Sequence, residues 1–150
     1  MSVDHQTFAF TRVIGASPSA VFRAFAEEEL KRKWFLNPHI ASADYALDFR
    51  VGGQERGRFV MEDGPAKGIH ENSTHYLDIR DGERIVYAYS MTWDGRVHSS
   101  SLVTVELAAT EAGTRLDYTE QGAFFEDSDG GDMRKGGMEA LIDALAAQFG

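Results

Sequence analysis

From residue 45 to residue 124 the chain is patterned mostly in period two, and nothing else in it constrains the fold as strongly. "YALDFRV" (45–51) puts Tyr45, Leu47, Phe49 and Val51 on one face and Ala46, Asp48 and Arg50 on the other. Strand side chains alternate, so this pattern describes strands with one buried and one wet face. Gly52-Gly53, "DGE" (81–83), "DGR" (94–96) and "EAG" (111–113) punctuate the alternation. The segments they separate are "QERGRFVMED", "HYLDI", "RIVYAYSMTW", "SLVTVEL" and "TRLDYTEQGAF". Turns this tight join antiparallel neighbours. A sheet of that kind needs a cover for its apolar face.

The flanks supply one more strand and the cover. "FAFTRVIGA" (8–16) alternates and is rich in β-formers, so it reads as a strand. In "SPSAVFRAFAEEELKRKWF", Ser17 can cap a helix and Pro18 sits at the first helical position, where its missing N–H costs nothing. Val21, Phe22 and Phe25 share a face that Leu30 and Trp34 can continue, which predicts two short helices over 18–26 and 27–34. From Met133 to Phe149 the period is helical again, with a stripe of Met138, Leu141, Ile142, Leu145 and Phe149. That helix, about 24 Å long at 1.5 Å per residue, has the stripe to cover the sheet.

At 150 residues, 43% hydrophobic and 26% charged, the chain is expected to form one globular domain over 1–150. It has no cysteine, hence no disulfide, thiol nucleophile or cysteine metal site. The net charge of −9 and the lack of a basic patch speak against nucleic acid and anionic membranes as partners. "KRK" (31–33) directly follows "EEE" (27–29), and the spacing predicts a solvated helix face paired as Glu27–Lys31 and Glu29–Lys33. No apolar run approaches a membrane span, and "MSVDHQTFAF" is not a signal peptide. A cytoplasmic location is expected.

Three stretches invite a motif reading. In "DSDGGDMRKGGMEALIDAL" (127–145), a calcium loop begun at Asp127 would need an oxygen ligand at Gly131, Gly at Asp132 and Glu at Met138, and it fails at all three. A phosphate loop begun at Gly131 finds Gly137 and Met138 where Lys and Ser/Thr belong. Asp132 is instead expected to cap the last helix, with the nearby acids favouring its dipole. Gly136-Gly137 costs a first turn about 1 kcal/mol per residue relative to Ala, and room for a ligand or for close sheet contact would explain it. "HENSTH" (70–75) places its two His five apart, on opposite faces of an extended strand, so no metal site is assigned. The third stretch is aromatic. Tyr87, Tyr89, Met91 and Trp93 share one strand face, and Leu116, Tyr118 and Glu120 share another. A carboxylate continuing an apolar face, and inward tyrosine hydroxyls, both need polar partners. A polar lining to an internal cavity would provide them; the simpler alternative is plain core packing with Glu120, near the strand end, reaching solvent.

Taken together, "FTRVIGASPSAVFRAF" (10–25), "LKRKWF" (30–35), "DFRVGG" (48–53), "RIVYAY" (84–89), "GTRLDYTEQGAF" (113–124) and "GGMEALIDAL" resemble, in order, the activator of heat-shock-protein-90 ATPase homologue family. That family lies within the START-like, helix-grip (SRPBCC) superfamily. Gly137 stands where relatives often have Trp, and Asp81 where they often have Pro. The resemblance implies an α+β helix-grip fold. A curved antiparallel sheet of six to seven strands would wrap a long C-terminal helix, with two short helices after the first strand and an apolar cavity between sheet and helix. Eukaryotic chaperone activators of the family carry a further amino-terminal domain.

The expected function is binding of a small hydrophobic or amphipathic molecule in that cavity. Phe49, Phe59, Tyr87, Tyr89, Tyr118 and Glu120 would line it from the sheet and Met138 and Leu141 from the helix, with Trp34 and Phe35 near the mouth. Gly136-Gly137 would open a doorway. No cofactor, metal or catalytic residue is assigned. Two alternatives stand beside this: a chaperone partner acting through its acidic surface, and a cyclase or hydrolase using Glu120 as general acid or base.

Overall fold

The computed structural model describes residues 3–36 and 42–150. The chain order is β1 (Asp4–Ile14), α1 (Pro18–Ala26), α2 (Glu28–Phe35), β2 (Ser42–Leu47), β3 (Gln54–Met61), β4 (Gly68–Arg80), β5 (Arg84–Trp93), β6 (Arg96–Thr110), β7 (Gly113–Phe124) and α3 (Gly131–Ala147). The strands form one 7-stranded sheet in the order β1-β7-β6-β5-β4-β3-β2, antiparallel throughout. After β1 the chain crosses through α1 and α2 to the opposite edge. It then returns hairpin by hairpin until β7 pairs with β1. The result is the helix-grip α+β architecture: a curved antiparallel sheet, a long C-terminal helix and two short helices after the first strand.

Local chemistry explains the elements. The Ser17 side chain accepts a hydrogen bond from the Ala20 N–H at 3.2 Å, and Pro18 opens α1. Glu28 and Glu29 begin α2 and Arg32 and Lys33 end it, as its dipole favours. The two helices are tied where the Trp34 indole N–H donates to the Ala24 carbonyl at 2.9 Å. The β5–β6 hairpin turns on Asp94 and Gly95, both at positive φ (49° and 82°), the pairing that a two-residue type I′ turn demands. α3 packs on β1 and α2. Ile142 and Leu145 are buried beneath it with Val103, Val105, Leu116 and Tyr118 of the sheet.

Several expectations are corrected. β1 begins at Asp4, because its pairing with β7 runs unbroken from Asp4 to Ile14. The strand expected over 45–51 ends at Leu47, since the Asp48 N–H already bonds the Gln54 carbonyl at 2.9 Å and the Gly53 N–H bonds that of Arg50 at 2.8 Å. Phe49 therefore leaves the strand face. Its ring packs edge-on between Phe22 (5.5 Å) and Tyr76 (4.9 Å), while Val51 is exposed. The cap of α3 is Gly130 at φ 86°, with no side-chain hydrogen bond, so Asp132 lies in the first turn and not at the cap. Close sheet contact does not explain Gly136 and Gly137, which are exposed and where an added Cβ would meet nothing within 4 Å. Nor is "KRK" wholly a solvated face. Arg32 pairs with Glu28 at 3.2 Å on the outside, but Lys31 turns inward and is 5% exposed.

Candidate functional site

Between the concave face of the sheet, α2 and the first half of α3 lies a cavity of about 210 Å³. Its apolar wall includes Phe25, Trp34, Phe35, Phe59, Met91, Met138, Leu141 and Ile142. Polar groups interrupt that wall on two sides, Lys31, Glu55, Asn72 and Thr74 on one and Tyr87, Tyr89, Tyr118 and Arg134 on the other. Each side is organised around a buried carboxylate.

The first is Glu55 of β3, 2% exposed. Its Oε2 accepts from Lys31 Nζ and from the hydroxyls of Tyr45 (2.5 Å) and Tyr76 (3.4 Å). Its Oε1 accepts from the Asn72 amide at 3.0 Å, which also donates to Thr74 Oγ1 at 2.9 Å. The Lys31 ammonium lies over the Phe35 ring at 4.7 Å and the Trp34 ring at 5.7 Å. Gly57 makes the arrangement possible. A Cβ there would fall 2.4 Å from Asn72 Oδ1 and from the Phe59 ring.

The second is Glu120 of β7, 0% exposed. Its Oε1 accepts from Tyr118 at 2.6 Å, and its Oε2 accepts from Tyr89 and Ser101, each at 2.7 Å. Arg134 of α3 approaches Oε2 at 3.6 Å. The same guanidinium donates to the Tyr89 hydroxyl (2.9 Å), Ser99 Oγ (2.9 Å) and Asp129 (3.1 Å), tying the start of α3 to β5 and β6. Burial lowers the pKa of Arg134, but Tyr89, Asp129 and Glu120 more than offset it and the group is held above its ordinary value. Burial, together with the carboxylates, raises Tyr45, Tyr76, Tyr89 and Tyr118 well above the ordinary tyrosine value. These hydroxyls keep their protons and act as donors to the glutamates. Nearby, His98 is buried, which lowers its pKa, and its Nδ1 has no hydrogen-bond partner among the described residues.

Of the residues singled out from the sequence, Trp34, Phe35, Phe59, Tyr87, Tyr89, Tyr118, Met138 and Leu141 stand on the cavity wall. Trp34 is 4% exposed and belongs to the wall as much as to any mouth. Phe49 and Glu120 are not on the wall. Phe49 left the strand face at Asp48, and Glu120 sits behind the tyrosines that donate to it. Lys31, Glu55 and Arg134 were not anticipated, although each carried a signal. Glu55 shares period two with the inward Phe59, as Glu120 does with Tyr118. Arg134 lies four residues before Met138, on the same helical stripe. Lys31 lies three and four residues before Trp34 and Phe35. Long charged residues are so seldom buried that such positions are read as solvated by default.

The described residues contain no cluster of three or more His, Asp or Glu placed to hold a metal ion. No helix among them is long and apolar enough to cross a membrane. Both oxygens of Glu120 accept hydrogen bonds from neighbouring hydroxyls.

Comparison with known proteins places the chain. A protein from Rhizobium loti is 41% identical over 98% of this chain and 99% of its own, with a TM-score of 0.88. An uncharacterised protein from Rhizobium leguminosarum is 35% identical over 97% and 95%, with a TM-score of 0.89. A Chromobacterium violaceum protein is 26% identical over 95% and 96%, with a TM-score of 0.77. No protein with a curated description matches. The family model described as Activator of Hsp90 ATPase homolog 1-like protein matches residues 15–150, and the chain belongs to that family.

Proposed function

We propose that the chain is a cytoplasmic binding protein for a small hydrophobic or amphipathic molecule held between the sheet and α3. The observation that carries this reading is the composition of the space. Aromatic and aliphatic side chains form most of the wall around a partly open space of about 210 Å³, yet two ion pairs are buried beside it. Replacing a buried pair by apolar side chains of similar volume is often neutral or stabilising. A core selected only for packing has little need of them, whereas a binding wall gains fixed polar groups that orient a guest. The volume exceeds the roughly 150 Å³ apolar cavity that accepts benzene and lies below the 300 Å³ or so at which drug-sized pockets begin. The guest is therefore of one or two rings, or of comparable bulk.

A thermal-shift screen with small lipophilic compounds in the millimolar range tests this. A ligand at about 100 times its Kd stabilises the fold by about 2.7 kcal/mol, which raises Tm by roughly 5–10 °C for a domain of this size. No stabilisation by any compound, together with a crystal structure in which side chains fill the space, would overturn the reading.

The family description favours a second reading, contact with an Hsp90-type chaperone. The net charge of −9 suits an electrostatic encounter. Salt-sensitive capture of purified chaperone on immobilised protein supports this reading, and absence of capture at low salt removes it.

A further inference from the structure

The Glu55 end of the cavity holds more hydrogen-bond donors than the protein itself uses. A lysine ammonium carries three N–H bonds and accepts nothing. Lys31 gives one of them to Glu55 Oε2, and the face of the Phe35 ring meets the cation at 4.7 Å from another side. Among the described residues Lys31 Nζ has no further acceptor. The groups that surround this ammonium, Glu55, Trp34 and Phe35, all stand on the cavity wall together with Lys31, which puts the nitrogen at that wall. Thr74, also on the wall, lies directly opposite Glu55 in the β3–β4 register. Its Oγ1 accepts from Asn72 at 2.9 Å, and its own proton finds no acceptor among the described residues. The acceptor without a partner at this end, Asn72 Oδ1, is turned to Gly57, 2.4 Å from the place a Cβ would take. At the opposite end the Arg134 guanidinium is taken up by Tyr89, Ser99 and Asp129, and the Tyr87 hydroxyl has Tyr118 within reach. The unmet donors are therefore concentrated beside Glu55. A buried donor without a partner is costly, and a guest removes that cost by presenting an acceptor. Charge narrows the choice. Glu55 already balances Lys31, so a carboxylate guest would be buried with no cation of its own.

Building on the binding function proposed above, we propose that the guest is an uncharged carbonyl compound whose oxygen accepts a hydrogen bond from Lys31 Nζ, with Thr74 Oγ1 as the second donor. Acetophenone and α-methylstyrene form the test pair. They are nearly identical in shape, with a carbonyl in one where the other has a methylidene group. Their hydration differs, so the readout is the ratio of their affinities in wild type compared with the same ratio in a variant, by NMR titration of the full chain. Lys31→Met is expected to lower the preference for acetophenone about tenfold or more, the worth of a hydrogen bond to a charged donor. Thr74→Val is expected to lower it about two- to tenfold, the worth of a neutral one. Tyr87→Phe is expected to leave it unchanged. A preference that survives in Lys31→Met, or that is lost in Tyr87→Phe, overturns this inference and leaves the cavity reading standing. So does benzoate binding as tightly as acetophenone. Absence of binding by both members of the pair overturns the inference and counts against the cavity reading as well. Lys31→Met weakens the fold, so a second measurement rests on wild type alone. The carbonyl stretch of bound acetophenone, isolated in isotope-edited infrared difference spectra, is expected well below its position in hexane. A stretch at the hexane position overturns the inference whatever the variants do.

Discussion

Replacing Lys31 with methionine separates two incompatible pictures of the same residue. If Lys31 belongs to a solvated helix face paired with Glu27, the substitution changes stability by no more than about 0.5 kcal/mol. The structure instead buries it against Glu55, with side-chain exposures of 6% and 3%. Two charges about 4 Å apart attract by about 4 kcal/mol at an effective dielectric of 20, and removing one partner of a buried pair costs about 3–5 kcal/mol. Tyr45, Tyr76 and Asn72 continue to donate to Glu55 in the variant, which places the loss near the lower end, about 3 kcal/mol. Methionine keeps most of the apolar stem, so little of the loss is packing. Urea unfolding followed by tryptophan fluorescence measures it, with a matching fall in Tm of roughly 6–12 °C. Lys33→Met, at an exposed position of the same helix, is the control and is expected to stay within about 0.5 kcal/mol of wild type. A double-mutant cycle with Glu55→Gln should return a coupling of about 1–3 kcal/mol. A Lys31→Met variant as stable as Lys33→Met, or a coupling near zero, refutes the buried pair and the polar side of the cavity built on it.

Two further outcomes follow from the same geometry. All five tyrosines are held above their ordinary value by burial first and by neighbouring carboxylates or tyrosines second. The unfolded chain ionises its tyrosines near pH 10 and the folded chain does not, so the unfolded state binds fewer protons above that pH. The stability tied to these protons is intact below about pH 10 and falls above it by up to roughly 7 kcal/mol per pH unit if all five count. Phenolate absorbance at 295 nm should therefore appear only with loss of circular dichroism, and a titration near pH 10 in the folded protein would contradict it. Gly136→Ala and Gly137→Ala meet no atom within 4 Å and should each stabilise the protein by about 0.5–1 kcal/mol, the helix-propensity difference. A loss of stability in chemical denaturation at either site would show a contact that the structure does not contain.

The order of the elements was legible in the sequence because local rules govern it. The switch from period two to period 3.6, Ser17-Pro18 at a helix start and Asp94-Gly95 in a hairpin are short-range signals whose physics is complete within a few residues. The aromatic wall was legible for the same reason. Tyr87 and Tyr89 must share a face, as must Tyr118 and the residue two further on. The polar half of the site was legible only in part. Glu120 attracted attention by interrupting an apolar stripe, yet whether it touched a guest or stood behind Tyr118 depended on what lay across the sheet. Phe49 was lost to the wall because the Asp48–Gln54 hydrogen bond closed the strand before the alternation ran out.

What the sequence determined by itself was the helix-grip layout and most of the apolar lining. Tertiary structure decided which charges are inside. A lysine beside three glutamates has a plausible partner four residues away, and its real partner, Glu55, is 24 residues along the chain. Arg134 meets Glu120 only because α3 starts where β5, β6 and β7 curl toward it. Ion pairs close across space, and a buried pair forms only where both charges lose water together. No window of sequence contains that condition, and so the feature that turns this core into a candidate binding site appears only once the sheet has closed on its helix.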